Sequence, residues 1–394
     1  MSVSVPDAVG KGVSMSRVFS TLVAGIICGF LAIVLSIGHG SLLFSSTLRA
    51  YLPISIGLAL FSTVVMAAVG ALTSSTRGVV AIAQEIPVVA LVTVVSAVAA
   101  ALPLGASEET RLATVMVSIG ISTAVTGLAG LVLGYFRLGS LIRFAPYPVV
   151  GGFLAGTGWL IMIGGIGLVM NEPVTFALFE RLGDPAILYR LGLTATFVLA
   201  LFVGQARNAD ALVLPAVILV ALLVFNVGAT AIGATADSLR ADGWLIRLPE
   251  SGKLWPPIGI ADLSHVDWKA IGAGLIGMPA VIVLTIAALL MNATGIELDS
   301  NRDVDLDREL RSVGAMNLLA GAGVGLTGYH SISLTLLSSR LGAPSQWVGI
   351  IVAILTASAF ILGNVVLDAV PTVILGGVLI WIGGALIIEW LFRT

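Results

Sequence analysis

Arg143-Phe-Ala-Pro-Tyr-Pro-Val-Val-Gly-Gly-Phe-Leu-Ala-Gly156 joins a basic, proline-locked turn to a glycine-rich apolar segment without a break. A proline inside a helix loses a hydrogen bond and clashes with the preceding turn, so Pro146 and Pro148 mark a helix start. The apolar run that follows, Pro148 to Met170, is long enough at ~1.5 Å per residue to cross a hydrocarbon core of ~30 Å. Glycines at 151, 152, 156, 158, 164, 165 and 167 give it surfaces that neighbouring helices can approach closely.

Composition extends this reading to the whole chain. Apolar residues make up 58% and charged residues 10%, with a mean hydropathy of +1.10. A soluble domain carries roughly a quarter charged residues. So few charges cannot cover a water-facing surface, and lipid is the main solvent. The fold class is all-α and polytopic. A net charge of −2 without a basic stripe gives no footprint for nucleic acid. The single cysteine, Cys28, lies in an apolar run and excludes an intrachain disulfide. The run Phe19–Gly38 is too long for the core of a cleaved signal peptide and reads as a first span.

Length and turn residues divide the chain into about twelve apolar segments. In order these are Phe19–Gly38, Tyr51–Leu72, Gln84–Leu102, Leu112–Leu133, Pro148–Met170 and Ile187–Val203, then Leu212–Ile232, Trp268–Met291, Ser312–Leu326, Ser331–Leu341, Gln346–Val366 and Val370–Phe392. The third and tenth are short and follow the interruptions Thr73–Gly78 and Gly321–Gly328. Short, glycine-interrupted segments in corresponding positions of two halves point to a transporter binding site. Irregular backbone is tolerated at that depth only inside protein or beside a water-filled cavity. The charged run Glu297–Arg311 reads as a solvated loop; its acids lack the spacing of a calcium loop. More arginines fall in the even-numbered connections, which places the N-terminus in the cytoplasm; the expected location is the cell membrane.

Three further stretches repeat a known pattern. They are Asp307-Arg-Glu-Leu-Arg-Ser-Val-Gly-Ala-Met-Asn-Leu-Leu-Ala-Gly321, Thr327-Gly-Tyr-His-Ser-Ile-Ser-Leu334 and Gly342-Ala-Pro-Ser-Gln346. With the opening stretch, their order and spacing resemble the sulfate permease (SulP) family of anion transporters. The resemblance implies fourteen segments in two inverted repeats, shared with uracil permeases, with segments 3 and 10 as half-helices. It implies an elevator-like core moving against a gate, and substrate held between the two facing half-helices. It also implies a core over 17–140 and 268–366, a gate over 141–236 and 367–394, a cytoplasmic tail over 1–16 and a polar loop over 237–267. The sequence stops before the last two family segments and the STAS domain, so it is read as a piece of a longer protein or as one with an incomplete gate. The family also implies a homodimer.

At the site the chain departs from the family pattern. The usual glycine-proline start of the third helix is replaced by Gln84-Glu85-Ile86-Pro87, and Thr285–Asn292 lacks the usual buried glutamate of the eighth. Ile332 stands where many members carry arginine. The substrate-binding candidates are Gln84, Glu85, His330, Ser331, Ile332 and Ser333. Glu85 is the proton-coupling candidate, because a carboxylate beside a bound anion repels it unless protonated; it also reads as a helix cap or a partner of Arg77. Ser331 and Ser333 offer hydroxyl donors, and Ser is equally a preferred cap. His330 reads first as a structural donor, and His39 and His265 show no partners that suggest a metal.

The expected function is secondary active transport of sulfate, bicarbonate, a halide or a dicarboxylate, with protons as a possible second solute and membrane lipid as surroundings. No nucleophile elbow, phosphate loop or zinc spacing is present, so neither an enzyme nor a cofactor is expected. The alternatives are a nucleobase transporter on the same fold and a non-transporting sensor or assembly subunit.

Overall fold

The computed structural model of the chain describes residues 15–44, 48, 51–140, 147–172, 174, 183–207, 212–246, 254, 260–300 and 303–389. The tail before Met15, the turn Arg143–Pro146 and the arginines at 49, 181 and 302 lie outside them. The first half contains α1 (Met15–Leu43), α2 (Leu52–Thr73), β1 (Ala81–Ala83), α3 (Glu85–Ala101), α4 (Glu108–Tyr135), α5 (Tyr147–Met170), α6 (Pro185–Arg207) and α7 (Val213–Ala231). After the short α8 (Ala236–Ala241) come α9 (Trp268–Gly274), α10 (Met278–Ser300), α11 (Leu306–Ala322), β2 (Gly328–His330), α12 (Ile332–Arg340), α13 (Gln346–Leu362), α14 (Asn364–Ala369) and α15 (Thr372–Ile387). Among the described residues, six helices are long and apolar enough to cross a membrane. Pro148 falls in the first turn of α5, where a proline costs no hydrogen bond.

The helices sort into two packing groups. In one, α1, α2 and α13 pack together, α4 lies along α11, and α3 packs on α9 and α10. In the other, α5 and α6 pack on α15, and α7 on α6. Glycine sets both main crossings. A Cβ on Gly314 of α11 would lie 2.5 Å from the backbone nitrogen of Leu131 on α4, and one on Gly321 equally close to that of Ala124. In the second group, a Cβ on Gly158 or Gly165 of α5 would meet the carbonyl oxygens of Gly383 or Gly376 on α15, at 2.6 and 2.7 Å. Gly152 and Gly156, from the same glycine-rich run, face open space. Close backbone approach is what stabilises helix pairs in lipid, where apolar burial drives little.

Two sequence expectations are corrected. The eighth apolar segment is not one helix: it breaks between α9 and α10, where Gly274 and Gly277 pack against Val94 of α3. The charged run 297–311 is not a solvated loop. Helix α10 continues to Ser300 and α11 begins at Leu306. Asp305 caps α11 by accepting from the Arg308 amide, and Asp307 and Glu309 lie in its first turn. Acids there complement the positive end of the helix dipole, which is why this run helps start a helix. Glu309 is buried.

Replacing Gly314 by Val is expected to push α4 and α11 apart and lower stability by about 1–3 kcal/mol, whereas Gly105→Ala, with nothing within 4 Å of its Cβ, is expected to be neutral. Thermal unfolding of the two variants in detergent checks this; equal midpoints would show that the crossing tolerates a side chain.

Candidate functional site

The two interruptions pair with each other. β1 and β2 form an antiparallel ribbon with Ala81 opposite His330, Ile82 opposite Tyr329 and Ala83 opposite Gly328. It is flanked by hydrogen bonds from the Ser331 amide to the Val80 carbonyl (2.9 Å) and from the Gln84 amide to the Thr327 carbonyl (3.4 Å). In antiparallel pairing alternate residues bond inward and the rest point outward. A two-stranded ribbon buried in protein therefore leaves outward amides and carbonyls that must find other partners. Side chains supply them. Asn317 of α11 closes the Gly328 edge: its Oδ1 accepts the Gly328 amide at 2.9 Å and its Nδ2 donates to the Gly328 carbonyl at 2.8 Å. The Ala83 amide donates to Thr63 Oγ1 (3.3 Å), which is bonded in turn to Ser36 Oγ (2.7 Å). Asn292 Nδ2 donates to the His330 carbonyl at 2.9 Å, and the Val80 amide donates to Thr335 Oγ1 at 3.1 Å.

This register corrects the expectation of helix tips meeting amide to amide. Gln84 stands opposite Thr327 and Ser331 opposite Val80, so α3 and α12 leave from opposite ends of the ribbon. At ~3.3 Å per strand residue the two starts are roughly 13 Å apart along it. Gln84 is buried, and its side-chain amide reaches the Tyr329 carbonyl at 3.5 Å, across the ribbon. Helix α3 has no side-chain cap. Ser331 caps α12 by accepting from the Leu334 amide at 3.4 Å, which leaves the Ile332 and Ser333 amides without an acceptor inside the helix. Ser333 is exposed, and Ile332 is half-buried beside Gly295 of α10.

Glu85 opens α3 and pairs with His39 of α1, not with Arg77. Its Oε2 lies 3.4 Å from His39 Nε2, and the side chains are 20% and 1% exposed. At the other end, Glu309 Oε2 lies 3.2 Å from His330 Nε2, both 1% exposed. Glu309 Oε1 accepts from Ser74 Oγ (2.9 Å), the Ser75 amide (2.6 Å) and Ser75 Oγ (2.5 Å) in the turn before β1. Each end of the ribbon thus has a carboxylate paired with a buried imidazole, and of the two carboxylates only Glu309 is itself buried. Among the described residues no group of three or more His, Cys, Asp or Glu could hold a metal. A groove of about 830 Å³ between α6, α7 and α15 is lined by residues such as Phe197, Val220, Phe225 and Trp244. It is apolar and borders neither strand of the ribbon.

Comparison with known proteins is decisive at this point, for the sulfate permease family model matches residues 18–393. The chain belongs to the sulfate permease family. Among curated relatives, the vacuolar basic amino acid transporter VSB1 of Saccharomyces cerevisiae is 26% identical over 301 residues, 74% of this chain and 29% of that protein. A probable sulfate transporter of Mycobacterium tuberculosis is 24% identical over 291 residues, covering 71% and 48%. The chain therefore spans less than half the length of either relative. Among solved structures, the transmembrane domain of the cyanobacterial bicarbonate transporter BicA matches with a TM-score of 0.69 at 16% identity, covering 95% of this chain and 90% of that one. Inward-facing murine Slc26a9, an anion transporter, matches with a TM-score of 0.69 at 13% identity, covering 97% and 63%. At such identities the likeness speaks for the fold, the inverted-repeat transporter fold. This family member is a multi-pass membrane protein and not an enzyme.

Sequence reading missed His39, Glu309, Asn317 and Asn292. The rule that an ionisable residue inside a membrane segment signals function singled out Glu85 and applies equally to His39, between Gly38 and Gly40. Asn317 and Asn292 gave no such signal, since their partners are backbone groups of β2 that only the fold brings beside them. Asn317→Ala removes both partners of Gly328 and is expected to cost about 2–4 kcal/mol. Denaturant unfolding in mixed micelles reads this out; a cost under about 0.5 kcal/mol would mean that the ribbon edge is satisfied some other way.

Proposed function

We propose that this family member is a secondary active transporter of small anions, with Glu85 as its proton-coupling residue. The observation that carries the proposal is the ribbon itself: it presents two helix starts and, beside one of them, a partly exposed carboxylate paired with a buried histidine. Helix starts attract anions through unpaired amides and the dipole. Glu85 opposes an anion until it binds a proton, so proton and anion enter together. Gln84, Ser331, Ile332, Ser333 and His330 complete the substrate site. Sulfate, bicarbonate, a halide and a dicarboxylate are the candidate substrates. Helices α1–α4 and α9–α13 act as a core that moves, elevator-like, against a gate containing α5–α7 and α15, in a homodimer in the cell membrane with a cytoplasmic N-terminus.

One observation favours a second reading. The half-helix start bears a carboxylate, while position 332 is isoleucine and brings no cation. A site of that polarity suits a cationic solute such as a basic amino acid, the substrate class in the name of the yeast relative.

Reconstitution of the chain in liposomes with sulfate, bicarbonate, fumarate, uracil or arginine outside, with and without an inward proton gradient, separates these readings. Gradient-driven uptake of an anion supports the first, arginine flux the second and uracil flux a nucleobase transporter; no flux of any of them supports a non-transporting subunit. A one-proton symporter converts one pH unit into about tenfold accumulation, ~1.4 kcal/mol. Glu85→Gln is expected to remove one such tenfold factor per pH unit while leaving exchange at equal pH. Unchanged accumulation with an unchanged pH profile would remove Glu85 from coupling.

A further inference from the structure

Glu309 and His330 form a buried acid–imidazole pair that the proposed coupling through Glu85 does not use. The two carboxylate oxygens of Glu309 are treated differently. Oε1 takes three donors from Ser74 and Ser75. Oε2 has no hydrogen bond among the described residues, and neither has His330 Nε2, although the two atoms are 3.2 Å apart. Both side chains are sealed from solvent, at 1% exposure. Burying an uncompensated charge costs several kcal/mol. Hydroxyl and amide donors stabilise a carboxylate but do not cancel its charge, so one proton shared across the Oε2–Nε2 gap is what makes the pair neutral.

Among the described residues no other charge is bonded to this pair. Helix α2 contains no charged residue, and the residues of β1 are apolar. Helix α10 contributes the neutral Asn292, which holds the His330 carbonyl; of its two acids, Glu297 accepts instead from the Val304 amide at 3.3 Å, and Asp299 lies two residues further along. Arg77, in the turn that supplies the serines, is exposed. Arg308 turns its Nε to the Thr73 carbonyl at 3.0 Å, and Arg311 its Nε to the Asp307 carbonyl at 3.3 Å. Glu85 sits past the far end of the ribbon, with His39. The pair is also placed to communicate. His330 immediately precedes Ser331, the cap of α12, while Glu309 ties down the turn that leads into β1.

We propose that Glu309 and His330 form a second proton-binding site, which gains a proton when an anion settles at the start of α12 and releases it when the anion leaves. With the shared proton resting on Glu309 Oε2, the incoming proton binds His330 Nε2 and the carboxyl O–H turns away from the new imidazolium, which takes the pair from neutral to a single positive charge. The anion one residue away balances that charge, and no other atom changes bonding. This rests on the reading of the chain as an anion transporter, and the tests are arranged to fail separately.

The first test needs no transport. Infrared difference spectra of the full chain in lipid, between about pH 8 and about pH 5, are recorded for the wild type, H330Q and E309Q. The expected result is an imidazolium ring band in the wild type that H330Q removes and E309Q displaces, with E85Q leaving that component in place. A wild-type spectrum indistinguishable from that of H330Q overturns the proposal, whether or not the protein moves anions. The second test is sulfate and bicarbonate uptake into liposomes across a pH series. H330Q is expected to lose the second proton's contribution, about tenfold in accumulation per pH unit, whatever its absolute rate. A slower H330Q with a wild-type pH profile marks a structural residue and overturns the proposal. Should E309Q fail to fold, H330Q, which keeps a side-chain donor, decides both tests.

Discussion

A buried ribbon of two short strands is the constraint on which this structure depends. Helices satisfy their own backbone, so most of the chain enters lipid at no hydrogen-bonding cost. The segments 79–84 and 326–331 do not. Pairing with each other meets only their inward groups. The outward ones need Asn317, Asn292, Thr63 and Thr335, which come from four different helices. The benefit of breaking two helices is that each resumes with unpaired amides deep inside the protein. Unpaired amides at a helix start favour negative charge.

The ionisable groups near the ribbon follow one rule. Glu85 and Glu309 are each matched by a histidine rather than by lysine or arginine. An arginine partner would fix the charge state, because its guanidinium does not deprotonate in proteins. An imidazole partner leaves it open to a single proton. Two such pairs flank the same ribbon, one beside the start of α3 and one beside the residue before α12. Both pairs thus sit beside the same ribbon, in a chain of the sulfate permease family.

Packing around the ribbon is built for closeness within groups. Glycine backbones meet backbone across α4–α11 and across α5–α15, so each group holds together through contacts that leave little room for adjustment. The groups touch each other mainly where α1 and α3 meet α5 and where α1 meets α15. Rigid bodies with limited mutual contact are the structural setting in which one body can shift against another.

Much of this was legible in the residues. Hydrophobic length is a local property, so the apolar runs and the two short segments after Thr73–Gly78 and Gly321–Gly328 could be marked from composition alone. The sulfate permease resemblance followed from motif order. The charged run 297–311 misled because its polarity suggested solvent, whereas Asp305 and its neighbours act as a helix start whose third acid, Glu309, turns inward. The partners of the site residues could not be read, because each lies on another element that only the fold brings close: Glu309 with Ser74 and Ser75, Asn317 with the outward edge of Gly328, His39 with Glu85. By itself the sequence determined which segments enter the membrane and where two of them break, since burial in lipid is decided by each segment's own apolar length. Only the tertiary structure decided that the breaks pair as strands, that their helix starts lie at opposite ends, and that Glu85 and Glu309 each meet a histidine. Those outcomes depend on register and on contacts between distant helices, which no local pattern encodes.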